Sequence, residues 1–329
     1  MIWTLLLTSL PIAITLLSGC DGPQSTLTPA GRGAEQISTL FWWMTACGFV
    51  IWCVYIGLAI YTIRIVPQPH DTWRTGKWII GGGVVLPTVL LTALLIYGLS
   101  MLPGLVRPAP EGSLHIEVTG IQWWWRVRYP VDDSESVELA NEIRLPVGEP
   151  VQFDLQSEDV IHSFWIPALG GKMDMIPGRE TLLTLEPTKT GTFRGVCAEY
   201  CGASHALMAF DVIVTSREEF DEWLEQQSAD ATEPTDQLAR DGRQVFFRQG
   251  CGACHAIRGT EANGVIGPDL THVGSRASLA AGTLPNDPEA FRRWLEHTSM
   301  TKPSVNMPDF NILSERELTS LAAYLEGLK

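Results

Sequence analysis

The 329-residue chain predicts a multidomain protein: a two-helix transmembrane hairpin, then an all-β Greek-key domain, then an all-α C-terminal domain. Three observations carry this. Leu40–Ile63 and Trp78–Val106 contain no charged residue, so each is long enough and apolar enough to span a bilayer. Short alternating segments between Gly, Pro, Asn and Asp then fill residues 113–215. Residues 238–329 begin and end with helical patterns.

The elements are justified in chain order. "MIWTLLLTSLPIAITLLSGC" is apolar from Ile2 to Leu17, too short for a span and suited to a signal-peptide core, though no basic residue precedes it. "LSGC" matches a lipoprotein cleavage box, so residues 1–19 read as a leader and Cys20 as the lipidated residue; an uncleaved anchor is the alternative. Residues 20–39 follow as an external segment, and the hairpin occupies 40–106, with helices at about 40–64 and 78–103. Arg64, Arg74 and Lys77 outnumber Asp71 in the connection while each outer flank has a single Arg, which places the connection in the cytoplasm and everything after residue 107 outside it.

"LHIEVTG", "WWWRVRYP", "PVQFDLQS", "ETLLTLEP" and "MAFDVIVT" read as strands of a sandwich or barrel over 107–216. Residues 217–237 read as a helical exit and an acidic, Pro-bearing linker, and 238–329 as the helical domain. Its last helix opens with a capping box, Ser314–Glu317, and spaces Leu318, Leu321 and Leu325 along one face. The formal charge of −14 argues against nucleic acid as a partner. The acid is concentrated in the middle of the chain: 7 Lys/Arg against 15 Asp/Glu in 113–215, 1 against 8 in 217–237, and 10 against 10 in 238–329. Glu158 and Asp159 belong to that acid, and either attract a basic partner or keep the surface solvated.

The seven cysteines, at 20, 47, 53, 197, 201, 251 and 254, are not spaced as a disulfide framework. "CGACH" places Cys251 and Cys254 to form two thioethers to a haem, with His255 as axial ligand to the iron. A lone dithiol or half a zinc site is the competing reading, but no second pair completes a zinc ribbon. Met307, in a loop before Pro308 and the final helix, is the candidate for the other axial position, with Met300 its rival and His272 and His297 packing or surface residues.

"CAEYCGASHALM" offers Cys197, Cys201, His205 and Met208 within twelve residues. Two thiolates, an imidazole and a thioether suit copper better than zinc. Two cysteines can bridge two metals, each taking one histidine, which leaves this loop one histidine short. His162 in "SEDVIHSFWIP" supplies it at a strand end; His115, within "LHIEVTG", is the rival.

Together "CAEYCGASHALM", "DVIHSFWIP", "KMDMIPGR" and "QWWW" resemble subunit II of the cytochrome c oxidase family over nearly the whole chain, and the C-terminal haem domain makes it similar to the fused, caa-type members. The resemblance implies a cupredoxin-like copper domain and a class I cytochrome c domain. It implies a binuclear copper centre, CuA, held by His162, Cys197, the Glu199 carbonyl, Cys201, His205 and Met208. It also implies a magnesium ion reached by the Glu199 side chain at the boundary with subunit I. Trp123 falls at the family's electron-accepting tryptophan. Implied partners are subunit I, the other integral subunits and a cytochrome c or other periplasmic donor; the implied role is an electron relay for O2 reduction. The same relay serving a CuA-containing nitric oxide reductase is the alternative. A quinol oxidase subunit is disfavoured because the copper ligand set is complete. One departure stands out: Ile80 and Gly83 occupy positions where many relatives carry a proton-admitting Glu and a Trp, and "IQWWW" replaces "HQWYW".

Overall fold

The computed structural model describes residues 22–65, 72–131 and 136–329; Cys20 and the leader before it lie outside the described residues. Gln36–Arg107 forms a compact unit of its own. In it the helix Arg32–Ile60 runs on through a wider turn at Tyr61–Ile65, and Thr72–Ile80 continues through Gly81–Val85 into Leu86–Leu105. The two apolar spans, Arg32–Ile65 and Thr75–Leu105, are 34 and 31 residues long, beyond the ~20 needed to cross a bilayer. Trp43, Trp52 and Leu91 are among the large apolar side chains they expose. Ile80 and Gly83 sit where the second helix widens, and Tyr55 Oη donates to the Gly82 carbonyl there at 2.7 Å. A widened turn weakens the helix's own ladder, and a hydroxyl from the other helix satisfies one of the loosened carbonyls.

The second unit holds the β domain and the helical domain together. Two five-stranded sheets form the β domain, in the orders β3-β2-β1-β5-β8 and β4-β10-β9-β6-β7, where β3 is Ser136–Ala140, β6 His162–Trp165, β7 Lys172–Met175 and β8 Thr181–Leu185. β1 (Leu114–Ile121) pairs antiparallel with β2 (Trp124–Pro130) and parallel with β5 (Val151–Ser157). β10 (Ala209–Thr215) pairs antiparallel with β9 (Gly191–Cys197) and parallel with β4 (Glu142–Pro146). The alternation read in the sequence is explained by this packing: Ile116 and Val118 face the core while His115 and Glu117 face solvent. Trp125, Phe153, Phe164 and Phe210 are fully buried between the sheets, with Phe164 and Phe210 stacked at 4.9 Å. Each such side chain contributes ~1.5–3 kcal/mol by leaving water. Tyr129 Oη accepts from Arg144 N at 2.8 Å and donates to Arg144 O at 3.1 Å, tying β2 to β4; burial pushes its pKa up.

Two flanking pieces also pack on this domain. Ala30 N donates to Ala168 O and Ala34 N to Leu169 O, so the chain at the start of the first helix lies along the sandwich. Arg217–Ser228 is a helix with a full capping box at Ser216 and Glu219. Phe220 and Trp223 from it are buried against Tyr129, so the first half of the stretch read as a linker contributes to the β core.

The helical domain is built on the pair Gln237–Arg248 and Glu315–Gly327. Their crossing needs Gly242, because a Cβ there would lie 1.9 Å from the Ser320 carbonyl oxygen. The Ser314–Glu317 capping box forms, and Leu318, Leu321 and Leu325 are buried. Between the pair lie Pro288–Glu296, the short turn Thr298–Thr301 and a two-residue hairpin, Ser278–Leu279 with Leu284–Pro285. That hairpin rests on the β domain. Ala209 N donates to Ala281 O at 3.2 Å, Ala277 N to Glu142 Oε2 at 2.6 Å, and Ser278 Oγ to Asp211 Oδ2. Arg194 Nη2 reaches Gly282 O at 3.0 Å, and Arg126 Nη2 reaches Val265 O at 2.8 Å.

Candidate metal centre and haem cavity

The copper-loop side chains meet at one end of the sandwich. His162 opens β6 (His162–Trp165), Cys197 closes β9, and the chain returns through a single turn, His205–Leu207, to Met208 before β10. Cys197 N donates to Met208 O at 2.9 Å and Ala198 N to Ser163 O at 2.9 Å, which fixes both feet of the loop. The two sulfurs lie 3.8 Å apart, far beyond the ~2.05 Å of a disulfide. His162 Nδ1 lies 3.8 Å from Cys197 Sγ, and His205 Nδ1 lies 3.5 Å from Cys201 Sγ. Met208 Sδ is 3.8 Å from Cys201 Sγ, and the Glu199 carbonyl oxygen lies 3.1 Å from Cys197 Sγ. Two sulfurs thus stand in the middle, with an imidazole nitrogen at each flank, a thioether on one side and a carbonyl on the other. This donor set fits two bridged soft metals better than one. His162, Cys197, Cys201 and Met208 are buried, while the Glu199 side chain is exposed.

Surrounding groups hold the ligands. Asp159 Oδ1 lies 2.8 Å from His162 Nε2, leaving Nδ1 toward the sulfurs. The other Asp159 oxygen accepts from Gln122 N at 2.7 Å. Gly120 leaves room for the ring: a Cβ there would sit 2.8 Å from His162 Cδ2. Burial opposes charge on His162, but hydrogen bonds to Cys197 and Asp159 outweigh it and its pKa is raised. The hydrogen bond from Cys201 lowers Cys197 to about 3, with His162 adding to the effect; Cys201 is raised because it keeps the shared proton in a buried place. One thiolate is therefore available for a metal at neutral pH.

A cavity of about 400 Å³ lies between the helical domain and the β domain. Cys251, Cys254, His255 and Met307 all line it. Met300 is 80% exposed, His297 is exposed, and His272 is buried against the Ala229 carbonyl at 3.0 Å. His255 Nδ1 lies 2.8 Å from Pro268 O, so Nδ1–H donates and Nε2 is the ring nitrogen left to bind. Burial lowers the His255 pKa and keeps the imidazole neutral. Gly267 accommodates the ring, since a Cβ there would lie 2.5 Å from His255 Cε1. Arg276, buried in the cavity wall, donates Nη2 to Asp269 O, while its Nε has no hydrogen-bond partner among the described residues. An unsatisfied buried guanidinium N–H suits a carboxylate such as a porphyrin propionate. The residues present therefore fit a haem.

Trp123 lies between the two sites. It is 7% exposed, lines the cavity, and donates Nε1 to the Cys201 carbonyl at 2.9 Å. Gln122 Nε2 donates to the same carbonyl at 2.7 Å. Among other residues singled out from the sequence, His115 is a surface group paired with Asp154 at 3.0 Å. Glu158 pairs with Arg126, and Asp159 is engaged by His162 and Gln122. Both acids stay at the surface, as read from composition, and each also has a partner within the chain.

Residues 132–216 match the family model of the cytochrome c oxidase subunit II periplasmic domain, and 239–329 match that of cytochrome c. Cytochrome c oxidase subunit 2 of Alkalihalophilus pseudofirmus is 37% identical over 334 residues, covering 95% of this chain and 94% of the relative. The chain belongs to the cytochrome c oxidase subunit II family. The same-named protein of Bacillus subtilis is 30% identical over 355 residues, covering 99% and 98%. Among solved structures, the periplasmic domain of cytochrome oxidase subunit II from Bradyrhizobium japonicum is 35% identical, covering 36% of this chain and 96% of that one with a TM-score of 0.34. Subunit II members of this fused kind combine a cupredoxin-like β domain with a helical cytochrome c domain, as both matches in this chain do.

Asp159, Arg276 and Lys302 were not visible as site residues in the sequence. Asp159 carried a weak signal, an acid three residues before a ligand histidine; the other two carried none.

Proposed function

We propose that this chain is the electron-accepting subunit of a respiratory cytochrome c oxidase, relaying electrons from a cytochrome c or other external donor to subunit I, where O2 is reduced to water with proton translocation. Bound haem c and CuA supply one-electron carriers. Cys251 and Cys254 would attach the haem, and His255 and Met307 would hold its iron. His162, Cys197, Cys201, His205, Met208 and the Glu199 carbonyl would hold the two coppers, and the outward Glu199 side chain is available for magnesium beside subunit I. The two apolar helices anchor the chain in the inner membrane with both domains on the periplasmic side, and Cys20 is the lipidated residue.

The observation that carries this reading is Trp123: one indole lines the haem cavity and hydrogen-bonds the backbone of a copper ligand. The remaining residues set conditions for a carrier rather than for substrate chemistry. Backbone bonds fix the loop, Asp159 fixes one histidine, and burial excludes water, so little rearrangement opposes a change of charge. The half-buried position of Met307 in the cavity wall, against the exposed one of Met300, favours the former as the residue that would hold the haem iron.

The test is spectroscopic. The full chain in detergent, loaded with haem and copper, is expected to give a reduced haem c α-band and a multi-line copper EPR signal from two equivalent ions. A single-copper hyperfine pattern in a fully loaded sample would sink the binuclear assignment. Met307→Ala is expected to lower the haem potential much more than Met300→Ala; the opposite order means the axial residue is misassigned.

A further inference from the structure

One buried cation belongs to neither ligand motif. Lys302 follows the short turn Thr298–Thr301 of the helical domain and is 2% exposed. Its Nζ crosses to the β domain and donates to the Trp123 carbonyl at 2.5 Å, and it also reaches Ala280 O at 3.3 Å within its own domain. Burying an ammonium costs several kcal/mol unless hydrogen bonds compensate it. Here two carbonyls do so, one from each domain. Burial lowers the Lys302 pKa to about 7.

Its neighbours extend the contact. Pro303 O accepts from Ser204 Oγ at 2.6 Å, on the copper loop next to His205. Val305 packs against the β core, and the segment then reaches Met307 in the cavity wall. The stretch 302–307 therefore touches the Trp123 loop, the copper loop and the haem cavity in turn. Trp123 itself is pinned twice, by its indole N–H on Cys201 O and by its carbonyl on Lys302.

We propose that Lys302 is a positioning residue for electron transfer between the two centres, bolting the haem-domain loop to the backbone of Trp123 and so fixing the indole between the haem cavity and the Cys201 carbonyl. The proposal rests on the relay reading above. A docked pair that slides apart loses a fixed path, whereas one held at the connecting residue keeps it.

The experiment compares the full haem- and copper-loaded chain with Lys302→Met, which keeps the side-chain length and removes the charged donor, and with Ser278→Ala. The latter removes a different bond of the same contact, Ser278 Oγ to Asp211. Haem and copper spectra matching the wild type establish that each variant is folded and loaded. Hydrogen exchange is followed at Ala209 and Ala277, whose amides are bonded across the domain contact. Electron transfer from haem to copper is timed after flash reduction of the haem by a photoactivated ruthenium complex.

Lys302→Met is expected to speed exchange at both amides and slow transfer, each by about tenfold, equivalent to ~1.4 kcal/mol. Ser278→Ala is expected to change transfer much less. Unchanged transfer in Lys302→Met overturns the proposal, as does equal slowing in Ser278→Ala, which would make the effect a general loosening. If the wild type passes no electron from haem to copper, the relay reading itself fails.

Discussion

The copper loop and the haem cavity sit side by side and are built in opposite ways. The copper donors come from twelve consecutive residues plus one histidine, closed by local backbone bonds such as Cys197 N to Met208 O. The haem cavity draws its walls from both domains, with Ile121, Trp123 and Asn141 facing Phe246, His255 and Met307. A site closed by its own loop is specified by sequence spacing. A site closed by a neighbouring domain depends on how the two domains dock.

Three perturbations break or sharpen that contrast. The largest effect is expected from Cys197→Ser, which removes a central sulfur: the binuclear copper signal is lost, while the haem α-band, whose attachment lies in the other domain, stays intact. Metal analysis alongside optical spectra checks this, and loss of both centres together would show that they fold as one unit. A smaller effect follows from Asp159→Asn, which keeps the shape but weakens the partner of His162 Nε2. Copper affinity is expected to fall by about 10–100-fold, as for other groups that orient a metal-bound histidine, measured by competition with a chelator.

The smallest effect is a pH slope. The Lys302 pKa is about 7 in the folded protein against 10.5 unfolded, so the unfolded chain binds more protons between these values. The burial penalty is complete below pH 7 and is relieved as pH rises toward 10.5, so this group makes stability increase with pH across that window. One proton contributes at most ~1.4 kcal/mol per pH unit. Urea titrations of the full chain at several pH values are expected to show a shallower rise in Lys302→Met than in wild type.

The contrast also explains what could be read from the sequence. Cys197, Cys201, His205 and Met208 are legible as a cluster because a metal site would need them at short, fixed spacing, and Cys251, Cys254 and His255 because haem attachment would. The capping box at Ser314 and the leucine face after it were legible because helix periodicity is local. The domain contact was not. Lys302 and Trp123 are 179 positions apart, and Ala277 and Glu142 are 135 apart, so no window of sequence links them. Glu158 and Asp159 are surface acid, as composition reads them, but their partners, Arg126 and His162, are identified only by the fold. Phe220 and Trp223 were hidden in an acidic stretch whose charges occupy the outer face of a packed helix.

The burial of the copper ligands bears on exchange at their loop. His162 and Cys197 are 0% and 6% exposed, and the loop carrying the other donors is restrained from outside by Pro303 and Ala281. An ion reaching those sulfurs must open the loop, and after the domains have docked the opening also breaks those two bonds. The domain contact therefore adds to the barrier against opening the loop, and so against exchange of whatever the loop holds.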